Sequence, residues 1–369
     1  MSNSTPEKTL LYVGTYTQPL SYHASAKGKG IYVYEFDAAT GTLTPLHEVE
    51  GIDNPSYLAI DSQKRWLYAI SEVRGWKEST ISAYGIDKSS GKITYLNKQV
   101  TQGVICAYVT VDHSDHYVLL VNWYEGKNAA VLAIREDGGL APTTCTVEYS
   151  GIGVNNDRPH SHCIELDPSN RYAYIAEMGL DKIMIYQFDT KKGCLMPNTV
   201  PSVDLEPGSG PRHFVFHPNG KFAYLIQETI GTITAFSHDA GTGALLKLQT
   251  ISALPPGYSG PVQAADIHVI PSGKFLYASI RKQNSIAIFA VDEKTGLLAY
   301  IENQPTKGQT PRNFAIDPSG TFLLVANQDS DKIVVFKINQ KYGRLEETGQ
   351  VADCPTPACL KMIQTQEPF

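Results

Sequence analysis

No uninterrupted apolar run in this sequence approaches the roughly 18 residues that a membrane-spanning helix needs, so a spanning helix is excluded. Cysteine is scarce, with six in 369 residues, too thin a set for a disulfide-built scaffold. Cys106, Cys145, Cys163 and Cys194 are scattered, and Cys354 and Cys359 form the one close pair. We expect all six as buried free thiols in a reducing compartment. Charge is sparse too: 18% of residues are charged, against about 25% in an ordinary soluble domain. The net charge of −6 provides no general basic field, which removes nucleic acid and anionic membrane surfaces as expected partners. A phosphate-cradling loop, a dinucleotide fingerprint and a serine nucleophile elbow are all missing. Met1–Lys8 is polar and lacks the apolar stretch of a signal peptide, so the expected location is cytoplasmic, with residues 1–8 a loosely attached tail. No feature specifies an oligomeric state.

What the chain has in quantity is glycine (30), proline (22) and tyrosine (21), without a triplet period. That composition suits many short connections between strands that bury aromatic surface. One pattern pairs an apolar strand and turn with Gly and then Leu or Ile. It reads Ile31-Tyr-Val-Tyr-Glu-Phe-Asp37 with Gly41-Thr-Leu43, and Ile81-Ser-Ala-Tyr-Gly-Ile-Asp87 with Gly91-Lys-Ile93. Further copies place the glycine at 139, 193, 243, 296 and 343, spacings of 47 to 54 residues. Between them lie apolar hairpins such as Pro211–Pro218 followed by Lys221–Ile226, and Pro311–Pro318 followed by Thr321–Val325. Four strands per unit, repeated seven times, predict an all-β fold: a seven-bladed β-propeller forming one domain over residues 1–369. The strand Thr356–Ile363 pairs in this reading with Leu10–Tyr16, so the two chain ends close one blade and remove an open edge. The spacer Tyr149–Arg158 is a loop over one face, and segments around Tyr22-His23 and Gly28–Gly30 are flexible connections.

In such a ring the start of each innermost strand and the end of the next strand reach the same rim. Aligned on their turns, the first-strand starts are Ser56, Ala107, His162, Arg212, Ala265, Arg312 and Ala358. The second-strand ends are Glu72, Trp123, Met178, Glu228, Arg281 and Gln328. His, Arg and Glu collect at these slots in units that are otherwise apolar. Buried charge there costs several kcal/mol unless paired or solvated, so either a self-neutralising ring around a watery channel or a polar substrate site is expected.

Gly210-Pro-Arg-His-Phe-Val-Phe-His-Pro-Asn-Gly220, Ala264-Ala-Asp-Ile-His-Val269 and Thr310-Pro-Arg-Asn-Phe314 resemble the lactonase family of seven-bladed propellers. That family includes bacterial 6-phosphogluconolactonases and fungal carboxy-muconate lactonizing enzymes. The resemblance covers the chain from Leu11 to about Ile363 and implies lactone hydrolysis on the propeller axis. Carried over residue by residue, it implies catalytic roles for His162, Arg212, Glu228 and Arg281. It departs at Ile280 and Gln227, where the family often has Asn, and His160 competes with His162 for the imidazole role. We expect further substrate contacts from His160, His213, Arg312, Lys282, Asp266, His268, Gln328 and Glu72. Neither metal nor cofactor is expected. Glu228 or His162 would act as general base, and Arg212 or Arg281 would hold the developing oxyanion. Whichever of Arg212 and Arg281 is left over, with Arg312 and Lys282, suits a phosphate or carboxylate on a small lactone. The implied substrate is 6-phospho-D-glucono-1,5-lactone. Rival readings are another lactonase or a muconate cycloisomerase of this fold, and a non-catalytic interaction scaffold.

Overall fold

The innermost hairpins are apolar on both faces because sheets cover them from both sides. The second strands Tyr172–Glu177, Phe222–Gln227, Phe275–Ile280 and Phe322–Asn327 are buried at every position. Outer strands such as Leu345–Asp353 alternate between buried and exposed, as half-solvated strands do. The computed structural model describes residues 8–20, 26–153 and 157–365. Among them are seven four-stranded antiparallel sheets, the blades of a propeller.

The first blade joins both chain ends: Pro357–Thr365 is its innermost strand, followed outward by Lys8–Thr15, Gly30–Phe36 and Leu43–Glu50. Lys8, expected in the tail, opens this second strand and pairs with Thr365. Residues 1–7, and Tyr22 and His23, lie outside the described residues. The ring closes where Leu11 and Val13 of the first blade pack against Leu324 and Val335 of the seventh. Each such side chain contributes roughly 1.5–3 kcal/mol on burial, so closure is held by apolar contact as well as by strand pairing.

Two recurrent devices set the sequence period. Turn aspartates cap the strand that follows: Asp61, Asp112 and Asp167 each accept two backbone N–H groups four and five residues ahead. The repeated glycine receives the neighbouring blade. Tyr12, Tyr68, Tyr174 and Tyr277 each donate a hydroxyl to a glycine carbonyl one blade on, at Gly91, Gly138, Gly243 and Gly343. At Gly243, φ is +71° and a Cβ would lie 2.4 Å from the Tyr172 ring, so no larger residue fits. In the third blade this role falls to Gly138, one residue before the expected Gly139.

One cysteine expectation is corrected. Cys145 and Cys194 form a disulfide between outer strands of the third and fourth blades, whereas Cys106, Cys163, Cys354 and Cys359 are buried free thiols. Sequence separation gave no sign of this pairing, because blade-to-blade contact brings together residues one repeat apart. No helix among the described residues is long and apolar enough to cross a membrane.

Candidate active site

Six innermost strands carry a register shift at the same place, near their start. In the fourth blade Ser161 pairs with Glu177 and Cys163 with Ala176, leaving His162 as the extra residue. Arg212, Arg312, Ala107 and Ala358 are the corresponding extra residues of the fifth, seventh, third and first blades. In the sixth blade the shift spans Ala265 and Asp266. A bulge turns a side chain out of the pleat, and here it does so beside the axis. The partners come from the residue just past each second strand. The backbone N–H groups of Glu228, Arg281, Trp123 and Gln328 donate back to the segment that precedes the inner strand, at Gly210, Gln263, Ile105 and Thr310. Ile105 and Thr310 hold φ of +56°, a left-handed backbone that β-branched residues rarely adopt, and both line the mouth.

Together these residues enclose an axial cavity of about 300 Å³. His162, Glu228, Arg281, Lys282, Arg312, Gln328 and Glu72, all expected at the site, line it beside Trp123 and Met178. Beneath lies a chamber of about 10 Å³, room for roughly one water, bounded by Ser56, His162, Arg212, His213 and Arg312. Arg212 forms part of this floor.

Glu228 is the electrostatic centre. Its Oε2 lies 3.0 Å from Arg212 Nε and 2.8 Å from Arg281 Nη2, and its Oε1 accepts from Gln263 Nε2 at 3.3 Å. Burial alone would push its carboxyl up; Arg281, Arg212 and Arg312 together outweigh that and hold it below its ordinary value. Burial lowers Arg281 to about 10 and also lowers Arg212, and both stay protonated at neutral pH. His162 is driven well below its ordinary value, first by burial and then by Arg212, His213, Arg312 and Arg281, so its imidazole is neutral. Its Nδ1 is buried without a hydrogen-bond partner among the described residues, as are Arg212 Nε, Arg281 Nε and Ser56 Oγ. The Arg212 Nε contact to Glu228 is therefore an ion pair too poorly aligned to spend that N–H. Arg281 borders the axial cavity, Arg212 and Ser56 the chamber beneath, and His162 both, so the unspent polar atoms are divided between two adjoining spaces.

A second carboxylate, Glu72, accepts from Tyr16 Oη at 2.9 Å and lies 3.7 Å from Arg312 Nη2. Arg312 also stands over the Tyr16 ring. Lys282 is exposed on the rim and meets no carboxylate among the described residues.

Four expected substrate contacts lie elsewhere. His160 stacks on the far side of Trp123 at 4.3 Å and donates through Nδ1 to the Trp123 carbonyl, outside the cavity lining. His213, Asp266 and His268 sit below, joined through Asp266: Oδ1 takes His213 Nδ1 at 2.7 Å and Oδ2 takes His268 Nε2 at 2.9 Å. Strand alternation put them near the axis but not at its upper mouth. Gln263 and Asp329, which the turn alignment passed over, belong to the lining. Among the described residues no three His, Cys, Asp or Glu side chains are grouped to hold a metal ion.

The chain can be set beside known proteins. Residues 10–362 match the family model described as lactonase, seven-bladed β-propeller. A 6-phosphogluconolactonase of Bacillus subtilis (strain 168) is 33% identical over 358 residues, covering 96% of this chain and 99% of the relative. One from Formosa agariphila is 34% identical, covering 83% and 86%. The solved periplasmic gluconolactonase of Pseudomonas aeruginosa superposes with a TM-score of 0.88 at 32% identity, covering 96% of this chain and 99% of that one. Ring, rim and whole-length similarity agree: this chain belongs to the lactonase family of seven-bladed β-propellers and is a lactone-hydrolysing enzyme.

Proposed function

We propose that the substrate is 6-phospho-D-glucono-1,5-lactone, opened to its acid at the axial cavity. The observation that carries this is a neutral imidazole set among three arginines, two of which, Arg212 and Arg281, keep an Nε with no hydrogen-bond partner among the described residues. His162 takes a proton from water as the water oxygen bonds to the lactone carbonyl carbon. The carbonyl oxygen becomes negative and is held by Arg281, with Arg212 reinforcing from the floor. Collapse breaks the bond from that carbon to the ring oxygen, which leaves with the proton from His162. Glu228 is a poorer base because both its oxygens are already engaged; it keeps the two guanidiniums apart and oriented. Burial first and then repulsion from the arginines depress the imidazole, and an anionic substrate paired with the arginines relieves the second of these at the moment of use.

Lys282 and Arg312 suit the phosphate, a role supported by the lack of a carboxylate beside Lys282 among the described residues and by relatives named for the phosphorylated substrate. Unphosphorylated gluconolactone is the second reading, favoured by the similarity to the Pseudomonas protein. A cytoplasmic setting goes with the first reading, because a charged sugar phosphate is retained by membranes. The Cys145–Cys194 bond points the other way, since disulfides persist in oxidising compartments. The test is to follow lactone decay against buffer alone, which corrects for spontaneous opening, with both lactones and with His162→Ala. We expect clear preference for the phosphorylated lactone and loss of the enzymatic component in the variant. Equal turnover of the two lactones would overturn the substrate assignment, and full activity in His162→Ala the mechanism.

A further inference from the structure

Arg212 is buried under the cavity, and its guanidinium is held from a direction that the reaction does not use. Its Nη1 donates to the Ala265 carbonyl at 2.5 Å and to His213 Nε2 at 3.1 Å. For His213 to accept there, its proton must reside on Nδ1, and Nδ1 lies 2.7 Å from Asp266 Oδ1. The other oxygen of Asp266 receives Asn313 Nδ2 at 2.5 Å, the Phe314 backbone N–H at 3.3 Å and His268 Nε2 at 2.9 Å. Asp266 and His213 are 1% and 4% exposed, so neither contact exchanges with solvent. Burial and Arg212 hold the His213 imidazole down to about 3, which keeps Nε2 available as an acceptor.

We propose that Asp266 and His213 form a positioning pair. Asp266 fixes the His213 tautomer, and His213 fixes the Arg212 guanidinium in the orientation that serves the cavity. This rests on the reading that Arg212 assists lactone opening. Only one tautomer is compatible: with the proton on Nε2, two N–H groups would confront each other across 3.1 Å.

Asp266→Asn makes the sharpest test, because the network dictates how the amide sits. Two backbone or side-chain amide donors from Asn313 and Phe314 attract the new amide oxygen to the Oδ2 place. The amide N–H₂ then faces His213 Nδ1, forces the proton to Nε2 and turns His213 against Arg212. The full-length enzyme, its Asp266→Asn variant, and His213→Gln and His213→Leu would be assayed with the phosphorylated lactone. Imidazole tautomers would be read from ¹⁵N shifts of the same samples. Expected are Nδ1–H at His213 in the unsubstituted protein, Nε2–H in Asp266→Asn, and a kcat lower by about 10- to 100-fold with KM changed less than about threefold. His213→Gln, whose carbonyl still accepts from Arg212, retains activity within about fivefold, whereas His213→Leu falls as far as Asp266→Asn. An inverted tautomer with unchanged kcat would overturn the proposal, as would equal kcat in the Gln and Leu variants. If Asp266→Asn does not fold, the Gln–Leu comparison decides. If the unsubstituted protein opens no lactone, the proposed function fails, and an Nε2–H tautomer at His213 would independently overturn the pairing.

Discussion

Removing the Glu228 carboxylate exposes how this site is held together. Oε2 stands between Arg212 Nε at 3.0 Å and Arg281 Nη2 at 2.8 Å, with side-chain exposures of 2% and 7% for the arginines and 18% for Glu228. Three charges then become two like charges in a desolvated place, because neither guanidinium can lose its proton at neutral pH. Breaking a buried pair by deleting one partner costs about 3–5 kcal/mol, so Glu228→Ala should lose that much unfolding free energy. Glu228→Gln, which keeps an acceptor but no charge, should lose about half. Urea unfolding gives the measurement, with the midpoint falling and the slope preserved. Adding Arg281→Met to Glu228→Ala removes one orphaned charge, and the double-mutant cycle should return a coupling of about 2 kcal/mol. Formate, a small carboxylate, should partly restore the stability of Glu228→Ala but not of the unsubstituted protein. A loss under about 1 kcal/mol together with additive substitutions would show that these charges are solvated rather than paired, and the electrostatic account of the site would fall.

Two further outcomes follow from the same geometry. His162 and His213 are held below their ordinary value in the folded chain, so below pH 6.5 the unfolded chain takes up protons that the folded one refuses. The stability these two histidines contribute is therefore full above 6.5 and falls with pH below it by up to about 1.4 kcal/mol per pH unit per group, down to about 3 for His213, while Glu165 and Glu177, raised by burial, act in the opposite sense. Glu228, also held low, adds a loss that begins only below about 4.5. Urea midpoints between pH 8 and 4 check this by comparison with His213→Gln, which should lose less stability between 6.5 and 5 than the unsubstituted protein; equal losses would contradict it. Lys282→Ala should raise KM for the phosphorylated lactone about tenfold and leave the unphosphorylated lactone unaffected, as steady-state kinetics would record.

Fold and rim were legible in the chain because both are local properties repeated seven times. Glycine must stand where a neighbouring aromatic ring covers the turn, as Tyr172 covers Gly243, and strand alternation follows from burial. The pairing of the chain ends followed from a half unit left over at each terminus. Turn alignment then placed His162, Glu228, Arg281, Arg312 and Glu72 at one mouth, since hairpins of equal length end at equal heights. Side-chain direction was beyond it. His160 and His162 differ by two residues, yet the bulge sends His162 to the axis while His160 stacks behind Trp123. His213 and Asp266 read as rim groups, and only packing between adjacent blades made them a hydrogen-bonded pair beneath Arg212. Cys145 and Cys194 met for the same reason. A sequence period records what each blade needs for itself; contacts across the gap between blades depend on twist, register shifts and the closing of the ring, which arise only when all seven are in place.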